Sequence, residues 1–279
     1  MRNGGWALAV LLLASGCQGG HDDSAPAEAT AVPETMLADS DASGAPSEAA
    51  SQAPPGTGRS IDVANDLYEF TYSYPDAAGA IPGLKDMLDS RLAGARSELA
   101  SSARDDQAAA KKDGFPYRPH GYGAKWSVVT DLPGWLSLSA DLYMYSGGAH
   151  GMSNFDSLLW DRRAEVARKP QDLFTGTDAL RGAIRDSFCD ALDKERTKRR
   201  GEPVKRDSEQ MFSECIDPVA QTLILGSSNG RTFDRIGILV APYEAGPYAE
   251  GTYEVTLPVT GAIMATLRPQ YRASFSVAQ

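Results

Sequence analysis

Long apolar runs, histidine, cysteine and a surplus of positive charge are all scarce in this chain of 279 residues, and each shortage closes off a class of function. The longest apolar stretch, Trp6 to Ala14, has nine residues, whereas a bilayer-spanning helix needs about 20. The chain holds three histidines and three cysteines. No Cys-x-x-Cys or His-x-x-x-His spacing occurs among them, so neither a zinc ribbon nor a zinc-protease helix is expected. A phosphate-cradling glycine loop, a dinucleotide fingerprint and a calcium loop are equally missing, and no cofactor or metal is expected. The formal net charge is −10. Nucleic acid binding normally shows a basic face, so no nucleic acid partner is expected.

What is present at the start of the chain is an address. Arg2 precedes the short apolar run, and Leu13-Ala14-Ser15-Gly16-Cys17 then offers small residues before a cysteine. This reads as a lipoprotein signal peptide over residues 1–17, with Cys17 receiving the lipid. The leucine usual three places before the cysteine stands here one place further back, as Leu13. Two or more acyl chains would anchor the protein to a membrane without its spanning one. Gln18, rather than Asp, follows the cysteine and favours the outer membrane, with the chain facing the periplasm. Residues 18–59 are Ala, Pro, Ser, Gly and acids with almost no large apolar side chain. Such a segment cannot bury enough surface to offset its ordering entropy and reads as a disordered acidic tether. With Cys17 lipidated, Cys189 and Cys215 remain as a pair. In an oxidising compartment a disulfide is the simplest reading, with a metal site as the alternative.

The remainder is patterned for mixed structure. Leu67 to Tyr74 alternates and is aromatic-rich, as a half-buried strand does. Leu84, Leu88, Leu92, Ala95 and Leu99 recur at helical spacing after Pro82, predicting a helix that fades near Ala110. Strands are expected over 125–130, 135–145 and 154–160, and again over 222–226, 235–241 and 252–258. A second helix, capped at Thr177, carries Leu180, Ile184, Phe188 and Leu192 on one side. Short helices are expected near 207–215 and 261–267. Elements come in blocks, so the fold class is α+β: antiparallel sheets with packed helices in two small subdomains.

Two segments could carry chemistry. In the first, Gly147, Gly148 and His150 lie between strands, with Asn154 and Asp156 just beyond. Adjacent glycines permit left-handed backbone and close approach of another group. The histidine is a hydrogen-bonded hinge, a metal ligand or a base; for the segment a structural turn comes first, then a binding surface, then catalysis. No Gly-x-Ser-x-Gly elbow supports a nucleophile. In the second, residues 241–251, Tyr243, Glu244 and Tyr248 sit on a Gly/Pro-stiffened loop. That is either a contact surface for protein or carbohydrate, or a stiff hairpin whose tyrosines close the core's edge. The basic run from Lys194 to Arg206 reads as a solvated helix end, with attraction to anionic glycans or headgroups as the alternative.

Taken together, Tyr68-Glu-Phe-Thr-Tyr-Ser-Tyr-Pro75, Trp126, Tyr145-Ser-Gly-Gly-Ala-His-Gly151, Asn154-Phe-Asp156, Asp172-Leu-Phe174 and Pro242-Tyr-Glu-Ala-Gly-Pro-Tyr-Ala-Glu-Gly251 resemble the RsiV-type extracytoplasmic module. Its first half is also similar to the module ahead of PdaC-type peptidoglycan deacetylases. The resemblance implies a PdaC-type subdomain over 60–145 and an RsiV-type subdomain over 146–279, without established catalysis. It also implies a lysozyme-like protein as a partner, with peptidoglycan as another. Recognition is therefore favoured over two alternatives: hydrolysis of envelope polymer through His150, and a structural lipoprotein without a discrete ligand.

Overall fold

Alternation decides the first sheet. In Tyr68–Tyr74 every second residue is an aromatic that faces inward, so the strand needs an apolar partner on one side only. The computed structural model describes residues 56–206 and 209–279. It supplies that partner as a long helix. Strands β1 (Arg59–Ala64), β2 (Tyr68–Tyr74), β3 (His120–Leu132), β4 (Trp135–Tyr145), β5 (Met152–Asp161) and β6 (Val166–Arg168) form one sheet in sequence order. The short helix α1 (Asp76–Gly79) and the 32-residue α2 (Pro82–Asp113) intervene between β2 and β3. Leu84, Leu88 and Leu92 of α2 bury themselves against Phe70, Tyr72, Trp126, Leu138 and Leu158. Pro82 starts α2, where its missing N–H costs nothing, and Gly114 ends it in the left-handed conformation, φ 76°.

The second core is built on α3 (Thr177–Arg200). Its stripe of Leu180, Ile184, Phe188 and Leu192 packs on a three-stranded antiparallel sheet of β7 (Thr222–Gly226), β8 (Arg235–Val240) and β9 (Tyr253–Pro258). Helix α4 (Gly261–Ala265) closes one side, with Thr260 capping it by accepting from the Ile263 N–H. Leu132, Trp135 and Leu159 of the first sheet belong to this core as well. The two sheets are also tied by hydrogen bonds from Thr222 Oγ1 to the Phe155 carbonyl and from the Ser227 N–H to Thr130 Oγ1. The Cys189–Cys215 disulfide is present, fastening α3 to the segment that leads into β7.

The α+β class holds, and most of the expected elements fall within a few residues of their predicted bounds. Four differences are instructive. Arg59, placed in the tether, opens an edge strand; β1 is short and half polar, and its pairing with β2 rather than its own apolarity defines it. The sheet is not wholly antiparallel, since β2 and β3 run parallel across the α2 crossover. Among the described residues of 209–215 there is no helix but a series of turns. Thr177 is the first helical residue, and Gly176 takes the cap position without a side-chain hydrogen bond. The expected subdomain boundary at 145/146 lies in the connection between β4 and β5, two strands paired from Trp135–Asp161 to Met144–Met152. Cys17 and the expected signal peptide lie outside the described residues.

Candidate functional site

The two segments singled out in the sequence meet. The β4–β5 connection folds back through Gly147 and Gly148, both in the left-handed region at φ 91° and 94°. This brings His150 out at the end of the hairpin, where its ring stacks on Tyr248 with centroids 4.0 Å apart. Tyr243 completes the group, 5.6 Å from Tyr248 and 6.5 Å from His150. His150 Nδ1 lies 3.0 Å from the Gly151 carbonyl, so that nitrogen donates. Nε2 is left to accept from the Tyr243 hydroxyl, at 3.5 Å. The Tyr248 hydroxyl donates to the same Gly151 carbonyl at 3.0 Å. Gly151 is itself buried under the Tyr143 ring, where a Cβ would overlap it. On the other side Arg118 and Tyr145 both donate to the Gly148 carbonyl.

The tyrosine loop is held from beneath. Arg196 of α3 is fully buried and donates from Nε to the Ala245 carbonyl at 2.9 Å. Its Nη1 reaches the Glu214 carbonyl and Asp193, which binds this stretch of loop to the chain beside the disulfide. Desolvation lowers the Arg196 pKa, partly offset by Asp193. Arg200 donates to Ala245 O and, in a forked pair at 2.9 and 3.0 Å, to Glu250. Glu250 in turn accepts from the Tyr253 hydroxyl. Burial pushes the Glu250 carboxyl up, but the bonds from Arg200 and Tyr253 overcome it and leave it below the ordinary value. Most of the basic run 194–206 is paired: Arg199 donates to the Glu250 carbonyl, Arg206 pairs with Asp190 and Asp193, and Lys198 with Glu195. Tyr243 is left with φ 70° and exposed at the loop's tip, beside exposed Glu244.

The remaining candidates go elsewhere. Asp156 shares its sheet face with Ala140, so it points toward α2 and not toward His150. There it forms an ion pair with Arg91 at 3.0 Å, and its other oxygen accepts from the Ser157 N–H. Arg91 in turn stands 5.4 Å over the Trp126 ring. These three border a half-open cavity of about 610 Å³ between α2 and the sheet, with Tyr72, Tyr122 and Met144. Asn154 turns its Oδ1 to the Phe155 N–H and borders a second cavity of about 920 Å³ between the two sheets. No carboxylate or serine hydroxyl is hydrogen-bonded to His150 among the described residues. The geometry groups His150 with tyrosines and assembles no general-base pair. Tyr143 and Tyr145, which open the glycine-rich segment in the sequence, belong to the site, and so does Arg118, which the sequence reading did not single out. Tyr143 and Tyr145 share one face of β4, whereas Arg118 lies in the loop before β3, where no local pattern marks it.

Residues 61–153 match the family model described as Deacetylase PdaC. No curated protein matches the chain. Among solved structures, a member of the DUF3298 family from Bacteroides fragilis is 18% identical, with a TM-score of 0.47, over 72% of this chain and 89% of that one. A DUF3298 family protein from Pseudomonas aeruginosa is 15% identical, with a TM-score of 0.44, over 81% of this chain and 99% of that one. The match to the PdaC family model thus runs from β1 into β5.

Proposed function

We propose that this chain is a lipid-anchored recognition module of the bacterial cell envelope, and that it meets a muramidase-like protein at the joint between the 147–151 turn and the 241–251 loop. The observation that carries this reading is the surface stack of His150, Tyr248 and Tyr243, which joins loops 93 residues apart. Beside it lies exposed Tyr143, whose ring covers Gly151. Large side chains gathered at a surface, with polar groups at their edges, are what protein interfaces use as anchors. The left-handed Tyr243 adds to this, because a non-glycine residue kept in that region costs about 1 kcal/mol or more and persists where the surroundings enforce it. The sequence at Cys17 supports the anchor, and a lysozyme-like partner is what the RsiV-type resemblance implies.

Isothermal titration of the chain with lysozyme tests the contact. Binding should appear with the intact chain and weaken at least tenfold in Tyr248→Ala, a loss ordinary for an interface anchor. No heat with lysozyme, or equal heat with the variant, removes the joint as the contact site. Mass spectrometry of the mature protein should find acyl groups on Cys17.

A further inference from the structure

The face of the first sheet that turns away from α2 is unexplained by this reading. Two rows of side chains cross it. In one, Asp62 lies beside Thr71, Thr71 beside Gly123, Gly123 beside Tyr143, and Tyr143 beside Ser153. In the next, Ser73 lies beside Lys125 and Lys125 opposite Asp141. The second sheet raises a wall along this face with Thr252, Tyr253 and Glu254, and the cavity between them holds about 920 Å³. That is within the size range of small-ligand sites. Gly123 sinks the floor midway: a Cβ there would stand 3.1 Å from Thr71 Oγ1 and 3.5 Å from the Tyr143 Cβ.

The polar lining is open to solvent: Asp62, Thr71, Lys125 and Asp141 are exposed, and Ser73 and Ser153 are half-buried. Among the described residues, the side chains of Asp62, Thr71, Ser73, Lys125, Asp141 and Ser153 form no hydrogen bond or ion pair with the protein. Lys125 and Asp141 face each other in register and still do not pair. The groove thus presents hydroxyls that both donate and accept, the three carboxylates of Asp62, Asp141 and Glu254 that accept, and one ammonium that donates. Tyr143 offers an aromatic face within the first row, between Gly123 and Ser153, and is 44% exposed. An apolar ligand would leave these groups desolvated and unpaired. An anionic one would meet Asp62, Asp141 and Glu254 against the single Lys125. Hydroxyls and amides on a ring with apolar edges satisfy both kinds of surface at once.

We propose that this groove binds a neutral oligosaccharide, laid across β2, β3 and β4 with a sugar ring against Tyr143. The choice of a cell-wall-like probe rests on the reading of the chain as an envelope protein; the groove shares Tyr143 with the surroundings of the His150 stack, but His150, Tyr243 and Tyr248 do not line it, so the two can be tested on different residues. The full chain is titrated with the tetramer of N-acetylglucosamine, following amide chemical shifts. Shifts should concentrate on Thr71, Ser73, Gly123, Lys125 and Asp141. The double variant Thr71→Val, Ser73→Val keeps residues that favour strands and should weaken binding about five- to tenfold. Tyr248→Ala should leave glycan binding unchanged while it disrupts lysozyme binding, so each proposal fails on its own variant. Three results overturn the inference: no saturable shifts with the tetramer, unaltered affinity in the double variant, or equal displacement by spermine, which would mark a merely acidic surface.

Discussion

Arg196 shows how far a single side chain supports the candidate contact site. It has no exposed surface, and it donates to the Ala245 and Glu214 carbonyls as well as to Asp193. Its Nη2 finds no partner, so part of its desolvation is left uncompensated. Removing the guanidinium also strands those acceptors. Arg196→Ala should therefore lower the unfolding free energy by about 3 kcal/mol in urea titrations. Arg196→Met should lose less, since the stem continues to fill its space. Two glycines separate packing from function. In Gly79→Ala the new methyl overlaps the Thr57 carbonyl, which is backbone and cannot move aside; a loss of about 1–3 kcal/mol is expected. In Gly151→Ala the overlap is with the tip of the exposed Tyr143 ring, which can swing away. That variant should keep its denaturation midpoint and lose lysozyme affinity, as titration calorimetry would show; a large fall in midpoint would mean the ring is fixed.

At the level of elements, the disulfide and the edge strand behave differently. Cys189 and Cys215 close a loop with a sequence separation of 26. Cross-linking a loop of that length stabilises a fold by about 3 kcal/mol in the chain-entropy model. Replacing both cysteines by serine should lower the urea midpoint correspondingly, and reductant should do the same to the parent chain. Elements with a strong apolar rhythm were legible in the sequence: β2 by its alternating aromatics, α2 by its leucine stripe, and α3 by Leu180 through Leu192. Strand β1, Arg-Ser-Ile-Asp-Val-Ala, and the three-residue β6 were not, because pairing with a neighbour defines such edges more than their own composition. The parallel β2–β3 pairing was hidden for the same reason. In the candidate site both loops were visible as Gly- and Tyr-rich segments, but their meeting is a tertiary fact that no local pattern encodes. Asp156 was misleading in sequence, where it lies six residues from His150. Its register opposite Ala140 and its pairing with Arg91 follow from strand alternation, which a turn-centred reading ignores.

Across the whole molecule, four carboxylates tie stability to acid. Asp217 is held below its ordinary value chiefly by Arg181. Burial pushes Asp89, Asp234 and Glu250 up, but donors overcome it: Lys85, Arg59 and Tyr74 for Asp89, Ser228 for Asp234, Arg200 and Tyr253 for Glu250. All four are lower folded than unfolded, so the unfolded chain takes up protons first. Their stabilisation is present above about pH 4 and is lost as pH falls through the folded values. The urea midpoint should fall steeply below about pH 4, and Asp217→Asn should make that fall shallower; a midpoint that rises on acidification contradicts this assignment. The parallel junction of β2 with β3 has a further consequence, for the order of assembly. Strands β3, β4 and β5 can zip as successive hairpins, whereas β2 reaches its place only after the chain from Pro75 to Pro119 has looped over. Closing that span costs entropy before any ladder bond repays it. The meander should therefore nucleate, with β1 and β2 docking late. In stopped-flow kinetics, Leu158→Ala should slow refolding, while Ile61→Ala should mainly hasten unfolding.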